Sequence, residues 1–310
     1  MKALNFNRLR AFYLNFIWFL LFPIQQFIIF TLMRTRKIFS IALIAFGLIS
    51  NSSIAQMKLS APLWEAKTNL PVPESVLYKG DTKELYVSLI DGAGNVKDGK
   101  GGIAILNLDG TMKNANWVTG LNAPKGLAIF KNTLYVADIT AVVSIDLLTG
   151  KVKNKLEIEK AVFLNDLTVD NKGTLYVSDT RTNKIYQIKN NSYELYIDNA
   201  TSANGLKWID NELFVLAGTE LWKIDKKKQI TVVAKGFEKV GDGLEPIGNG
   251  EFIATCWAGI IYHVKKDGSI EKLQDVQGKM NTADLGYNPT ERIIYVPTFN
   301  QNSVIAYQLK

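Results

Sequence analysis

Six short hydrophobic stretches recur along the chain at nearly even spacing, and this repeat limits the possible folds more than any other feature. The stretches are "ELYVSL" (Leu85), "TLYVAD" (Leu134), "TLYVSD" (Leu175), "ELFVLA" (Leu213), "EFIATC" (Phe252) and "IIYVPT" (Ile294). Successive anchors lie 49, 41, 38, 39 and 42 residues apart. Each alternates as a half-buried strand does, and each is followed by a second strand-like run, such as "GGIAILNLDG" or "GIIYHVKKDG". No long stretch of helical period interrupts them. Units of about 42 residues built from short antiparallel strands predict an all-β, six-bladed β-propeller with four antiparallel strands per blade. Closing the blades into a ring removes exposed sheet edges. The expected propeller covers residues 61–310.

The repeat also aligns what precedes each anchor: "PESVLY", "PKGLAI", "LNDLTV", "ANGLKW", "GDGLEP" and "TADLGY". The second position of this column holds Glu74, Lys125, Asn165, Asn204, Asp242 and Ala283. The innermost strand of a propeller blade lines the central channel, so equivalent positions at its start converge on one end of that channel. Asn and Asp are also ordinary turn formers, and for any single blade that reading suffices. Taken together, two carboxylates and two amide carbonyls suit a hard divalent cation, calcium above all, with water completing the shell. Zinc would call for His or Cys, and the only examples, His263 and Cys256, fall outside the column.

Other candidates carry less. "GNVKDGKGG", residues 94–102, approaches a phosphate-binding loop but lacks the closing Ser or Thr and joins two strands. His263 reads as a surface or packing residue and Cys256 as a small buried hydrophobe. Trp64, Trp117, Trp208 and Trp222 read as blade packing. Trp257 follows a strand of the blade that carries Asp242, where stacking on a sugar ring and core packing are both open.

The net charge of +7 belongs to the start of the chain. Residues 1–55 contain six basic residues and no acid, leaving 30 basic against 29 acidic residues in the remainder. No basic stripe is left for nucleic acid. Arg34, Arg36 and Lys37 precede the apolar run 38–49, and Ser53 and Ala55 sit where a signal peptidase cuts. Residues 33–55 are therefore expected to be a signal peptide, 56–60 a linker, and the protein to be exported, either periplasmic or secreted. Residues 1–32 are either an upstream segment ahead of a true start at Met33 or a membrane anchor, which would be the chain's sole membrane contact. One cysteine excludes an intrachain disulfide.

The glutamate of "PESVLY", Asn165-Asp166 in "LNDLTVDNKGTLYVSDT", the "ANGL" of Asn204 and the Asp-Gly of Asp242 resemble the senescence marker protein / gluconolactonase family, relatives of diisopropyl fluorophosphatase. The run "DGLEPIGNGEFIATCWAGIIYHVKKDG" is similar to that family's aspartate blade. The resemblance spans nearly all of residues 61–310. It implies a divalent cation held by Glu74, Asn165, Asn204 and Asp242, and a monomeric hydrolase of lactones or related esters acting on a small sugar-acid type of substrate. Asp242 is then the expected general base or nucleophile, with Lys125, Asp166 and Trp257 touching substrate. The alternative is a non-catalytic propeller that binds a ligand or protein around a structural cation. The chain departs from the family in its last blade, "TADLGYNPTERIIYVPTF", and in Lys125, whose ammonium either binds an anionic substrate group or turns to solvent.

Overall fold

The computed structural model describes residues 56–310; the expected signal peptide and the segment before it lie outside the described residues. Six four-stranded antiparallel sheets make up the fold. Five are consecutive meanders covering residues 73–121, 124–157, 164–197, 203–235 and 244–275, here called blades one to five. Blade six takes three strands from 286–308, and its fourth and outermost strand is Trp64–Ala66 from the start of the domain. The six repeated anchors are the second strands of the six blades.

Why these residues make strands follows from their burial. The second and third strands carry runs such as "ELYVSL", "GGIAILN" and "IIYHV" that are buried on both faces, because every blade is sandwiched between two others. The outermost strands alternate instead: Val152–Glu157 is mostly exposed, with Asn154 and Leu156 half-buried. Apolar side chains gather in seven clusters, six of them one in each seam between blades and a small seventh around Ile90, Ala123 and Ile139. In the seam between blades three and four, Tyr176 stacks on Trp208 at 4.8 Å and meets Tyr196 edge-on at 4.9 Å.

The ring is closed by pairing its two ends. Trp64 lies opposite Ala306, and Ala66 opposite Val304. Residues 57–60, expected as a linker, run along the same edge: Leu59 bridges Leu309, and Lys58 and Lys310 exchange backbone hydrogen bonds of 3.0 and 2.9 Å. Trp64 stacks on Tyr295 and donates its indole N–H to the Leu108 carbonyl at 2.9 Å, tying the closing strand to blade one. The phosphate-loop look-alike lies within the 90–100 connection joining strands two and three of blade one and the start of the third strand. Lys97 ties it to Glu157 of blade two at 3.6 Å.

Candidate functional site

The second column position acquires its direction from a local irregularity. In blades one to four the register of the inner strand shifts by one residue, with two residues opposite one, between Pro73 and Val76, Pro124 and Leu127, Leu164 and Leu167, and Ala203 and Leu206. The residues inside each jump are Glu74-Ser75, Lys125-Gly126, Asn165-Asp166 and Asn204-Gly205. A bulge re-aims side chains and frees backbone groups. In blades one, three and five a hydroxyl on the second strand accepts the backbone N–H of the third column position. Ser88 accepts from Ser75 N at 2.9 Å, Ser178 from Asp166 N at 3.0 Å, and Thr255 from Gly243 N at 2.8 Å. This explains why the fifth position of three anchors is Ser or Thr.

The upper ring so formed is buried. Glu74, Lys125, Asn165, Asn204, Asp242 and Ala283 are all below 9 % exposed. Asn204 Nδ2 donates to Asp242 Oδ1 at 2.6 Å, which leaves the amide oxygen of Asn204 to other partners. Asn165 Nδ2 donates to Thr180 Oγ1 at 3.1 Å, and Thr180 in turn donates to the Ala203 carbonyl of blade four at 2.7 Å. Glu74 Oε2 is buried without a hydrogen-bond partner. Lys125 turns inward rather than to solvent: its Nζ donates to the Ala123 carbonyl at 2.9 Å and sits 4.4 Å from the centre of the Phe163 ring.

Beneath the ring, the third column position forms a second layer: Ser75, Gly126, Asp166, Gly205, Gly243 and Asp284. Here the glycines make room. A Cβ on Gly126 would fall 2.3 Å from Asp166 Oδ1, and one on Gly243 would fall 2.7 Å from Asp284 Oδ1. Asp166 therefore reaches its neighbours without hindrance. Its Oδ1 accepts from Leu167 N at 2.7 Å and its Oδ2 from Leu206 N of blade four at 2.6 Å. With both oxygens occupied, Asp166 is a strut between blades. Asp284 Oδ2 accepts from Ser75 Oγ at 2.5 Å across the seam between blades six and one. There Asp284 N also bonds the Glu74 carbonyl. Lys207 pairs with Glu245 at 3.0 Å. Burial alone would lower the Lys207 ammonium, but Glu245, Asp166 and Asp284 together raise it.

Burial raises the carboxyl groups of both layers, Asp166 and Asp284 included, and the upper layer adds a lowered ammonium. Burial, and then the charge of Asp242, push Glu74 well above the usual carboxylate range, against the pull of Lys125. Burial, reinforced by Asp284 and opposed by the Asn204 hydrogen bond, pushes Asp242 up to about 8. Burial also brings Lys125 down to about 8, against Glu74 and Asp138. Two buried carboxyl groups, of which Asp242 raises Glu74, are a pair that a divalent cation would return to the charged state. Among the described residues no group of three or more His, Cys, Asp or Glu side chains stands at metal-ligating separation. The candidate donor set is instead two carboxylates and two amides, which is oxygen chemistry suited to calcium. The partnerless Glu74 Oε2 fits such a role.

The remaining candidates fall elsewhere. Trp257 is 44 % exposed, on the turn after the second strand of blade five, at the same channel end as Asp242. It meets Phe299 edge-on at 5.5 Å, so it is not a core residue. His263 is buried on the third strand of that blade, against Glu251 at 3.1 Å. Cys256 is fully buried and burial pushes its thiol up to about 12, as an inert packing residue requires. A groove of about 1000 Å³ between blades one and two, lined by Tyr78, Lys79, Trp117 and Lys131 among others, contains none of the ring residues. Sequence reasoning missed Asp284, Lys207, Glu245, Phe163 and Arg181. The first three lie in the same aligned stretches as the ring, where Asp284 and Glu245 stand out as acids and Lys207 as a base. Phe163 and Arg181 lie outside those stretches.

No family model matches the chain, and no curated protein matches it. Solved structures do. A gluconolactonase from Xanthomonas campestris superposes with a TM-score of 0.61 at 14% identity, covering 80% of this chain and 89% of that one. Virginiamycin B lyase from Staphylococcus aureus gives a TM-score of 0.60 at 13% identity, covering 82% and 100%. A structure of the nidogen/laminin complex gives 0.57 at 16% identity, covering 67% and 86%. The chain thus has the six-bladed propeller fold found in a gluconolactonase, as its sequence led one to expect. At these identities the likeness concerns the fold.

Proposed function

We propose that this chain is an exported, monomeric hydrolase of lactones or related esters that depends on a divalent cation of the calcium type. The observation that carries the reading is the orphaned Glu74 Oε2 facing a ring whose other oxygens belong to Asn165, Asn204 and Asp242. These four residues would hold the cation. When bound, such a cation polarises a substrate carbonyl and acidifies water. Asp242 keeps one oxygen on Asn204 and offers the other as general base, taking a proton from the attacking water as its oxygen bonds to the carbonyl carbon. The proton returns to the ring oxygen as the acyl C–O bond breaks, yielding a hydroxy acid. Trp257 supplies an exposed aromatic wall at the same end. Asp166 holds blade four in place rather than touching substrate, since both its oxygens are engaged.

The test is a panel of five- and six-membered sugar lactones assayed with calcium and with chelator, using wild type and Asp242→Asn. Calcium-dependent hydrolysis that disappears in the variant is expected. No metal-dependent turnover on any lactone or ester would favour a binding propeller instead.

A further inference from the structure

Two cations lie against one aromatic ring at the channel mouth, and among the described residues neither has an ion-pair partner within 4 Å. Lys125 Nζ and the Arg181 guanidinium each lie 4.4 Å from the centre of the Phe163 ring. Thirteen such pairs occur elsewhere among the described residues. Lys125 is 2 % exposed, and one of its three N–H donors is accounted for by Ala123. The carboxylates whose charge it feels are Glu74 and Asp138. Asp138 is committed already, accepting from Asn122 N at 3.1 Å and Ala123 N at 2.8 Å. Glu74 belongs to the ring on blade one. A buried ammonium beside a second cation is costly unless an anion completes the set.

The neighbourhood is built rather than incidental. Phe163 opens blade three, and its carbonyl accepts from Thr180 N at 3.1 Å, which fixes the turn that presents Arg181. The same Thr180 hydroxyl holds Asn165 of the ring. The 90–100 connection arrives from the other side, where a Cβ on Gly94 would fall 4.0 Å from Phe163. An anion between Lys125 and Arg181 would thus lie beside the ring, one blade from Glu74 and on the side away from blade five, which carries Asp242.

We propose that Lys125 and Arg181, arrayed on Phe163, form a carboxylate-binding subsite, so that the substrate of this hydrolase carries a free carboxylate besides the bond it cleaves, as in the lactone of a sugar diacid or uronic acid. This rests on the hydrolase reading for the word substrate, but the subsite itself does not. The planar fork of Arg181 matches a carboxylate, and Lys125 supplies a compact charge from the buried side.

The experiment measures calorimetric binding of methyl glucuronide, methyl glucoside and glucose 6-phosphate to wild type, Lys125→Met and Arg181→Gln, alongside lactone hydrolysis. Lys125→Met keeps the apolar stem on Phe163. Arg181 is exposed, so its variant tests the subsite even if the first fails to fold. The glucuronide should bind about 10- to 100-fold tighter than the glucoside, and each variant should remove most of that preference. Equal binding of the two sugars, or a preference untouched by Arg181→Gln, overturns the subsite. Tighter binding of the phosphate than of the glucuronide overturns its carboxylate character. A glucuronide preference without any lactone turnover leaves the subsite standing and removes the hydrolase reading; turnover of neutral lactones without the preference does the reverse.

Discussion

The channel holds two polar layers, one residue apart in sequence, and they behave differently. In the lower layer Asp166 has both oxygens filled by backbone N–H groups, and Asp284 takes a hydroxyl hydrogen bond on Oδ2 while its Oδ1 is buried without a partner; two residues further along their strands, Lys207 is paired with Glu245. In the upper layer Glu74 keeps an oxygen without a partner, Asp242 has one oxygen committed, and Lys125 has no ion pair. Both layers are buried, so burial alone does not separate scaffold from site. What separates Asp166 from Glu74 is whether the hydrogen-bonding capacity has been used up by the chain itself; Asp284 Oδ1, buried without a partner, is the exception in the lower layer.

This contrast can be broken by substitution. The largest effect should come from Asp242→Asn, which should lower kcat on a responsive lactone by about 10²- to 10⁴-fold while leaving the melting temperature unchanged or raised. A comparable loss of stability would place Asp242 with the scaffold. Asp166→Ala should do the opposite. Stranding the Leu206 N–H should cost about 1–3 kcal/mol in denaturant unfolding, with turnover per folded molecule retained. Gly126→Ala should destabilise by a similar ~1–3 kcal/mol, because its methyl would collide with the same carboxylate.

Smaller is a pH effect to which the buried carboxyl groups of both layers contribute, since burial raises Asp166 and Asp284 as well as Glu74 and Asp242. A carboxyl group whose folded pKa is raised stabilises the fold below its unfolded value and loses that contribution as pH rises through the folded one. For Asp242 the window runs from about 4, the ordinary carboxylate value, to about 8. Chelated protein should therefore lose melting temperature between pH 5 and pH 8, and Asp242→Asn should flatten the slope. Above about 8 the lowered Lys125 works in the opposite sense, so the decline should not continue. Calcium should offset the loss most strongly at the upper end of the window, where the ring carboxylates are most readily charged.

Much of this fold was legible because it is a repeat of local patterns. Leu85, Leu134, Leu175, Leu213, Phe252 and Ile294 lie on the second strand of each blade, at the near-even period of a ring of blades. The upper ring was legible because one aligned column collected Glu74, Asn165, Asn204 and Asp242. The closing strand Trp64–Ala66 was not, since three residues have no repeat partner and gain meaning only from lying against Val304–Ala306. Gly126 and Asp166 explain one another only once blades two and three are adjacent: the glycine is the clearance for its neighbour's carboxylate. Lys125 left two orientations open because a side chain's direction at a bulge is set by the ladder around it. Phe163 and Arg181 fall outside every aligned stretch, and their meeting with Lys125 is a property of the assembled mouth.

The measurement that bears most directly on the distinction between the layers is a calorimetric titration of calcium into wild type, Glu74→Gln and Asp166→Asn at neutral pH. A single site in wild type, abolished in Glu74→Gln and retained in Asp166→Asn, is the predicted result. Calcium binding unaffected by Glu74→Gln, or none in wild type, would contradict the assignment of the upper ring as the functional layer.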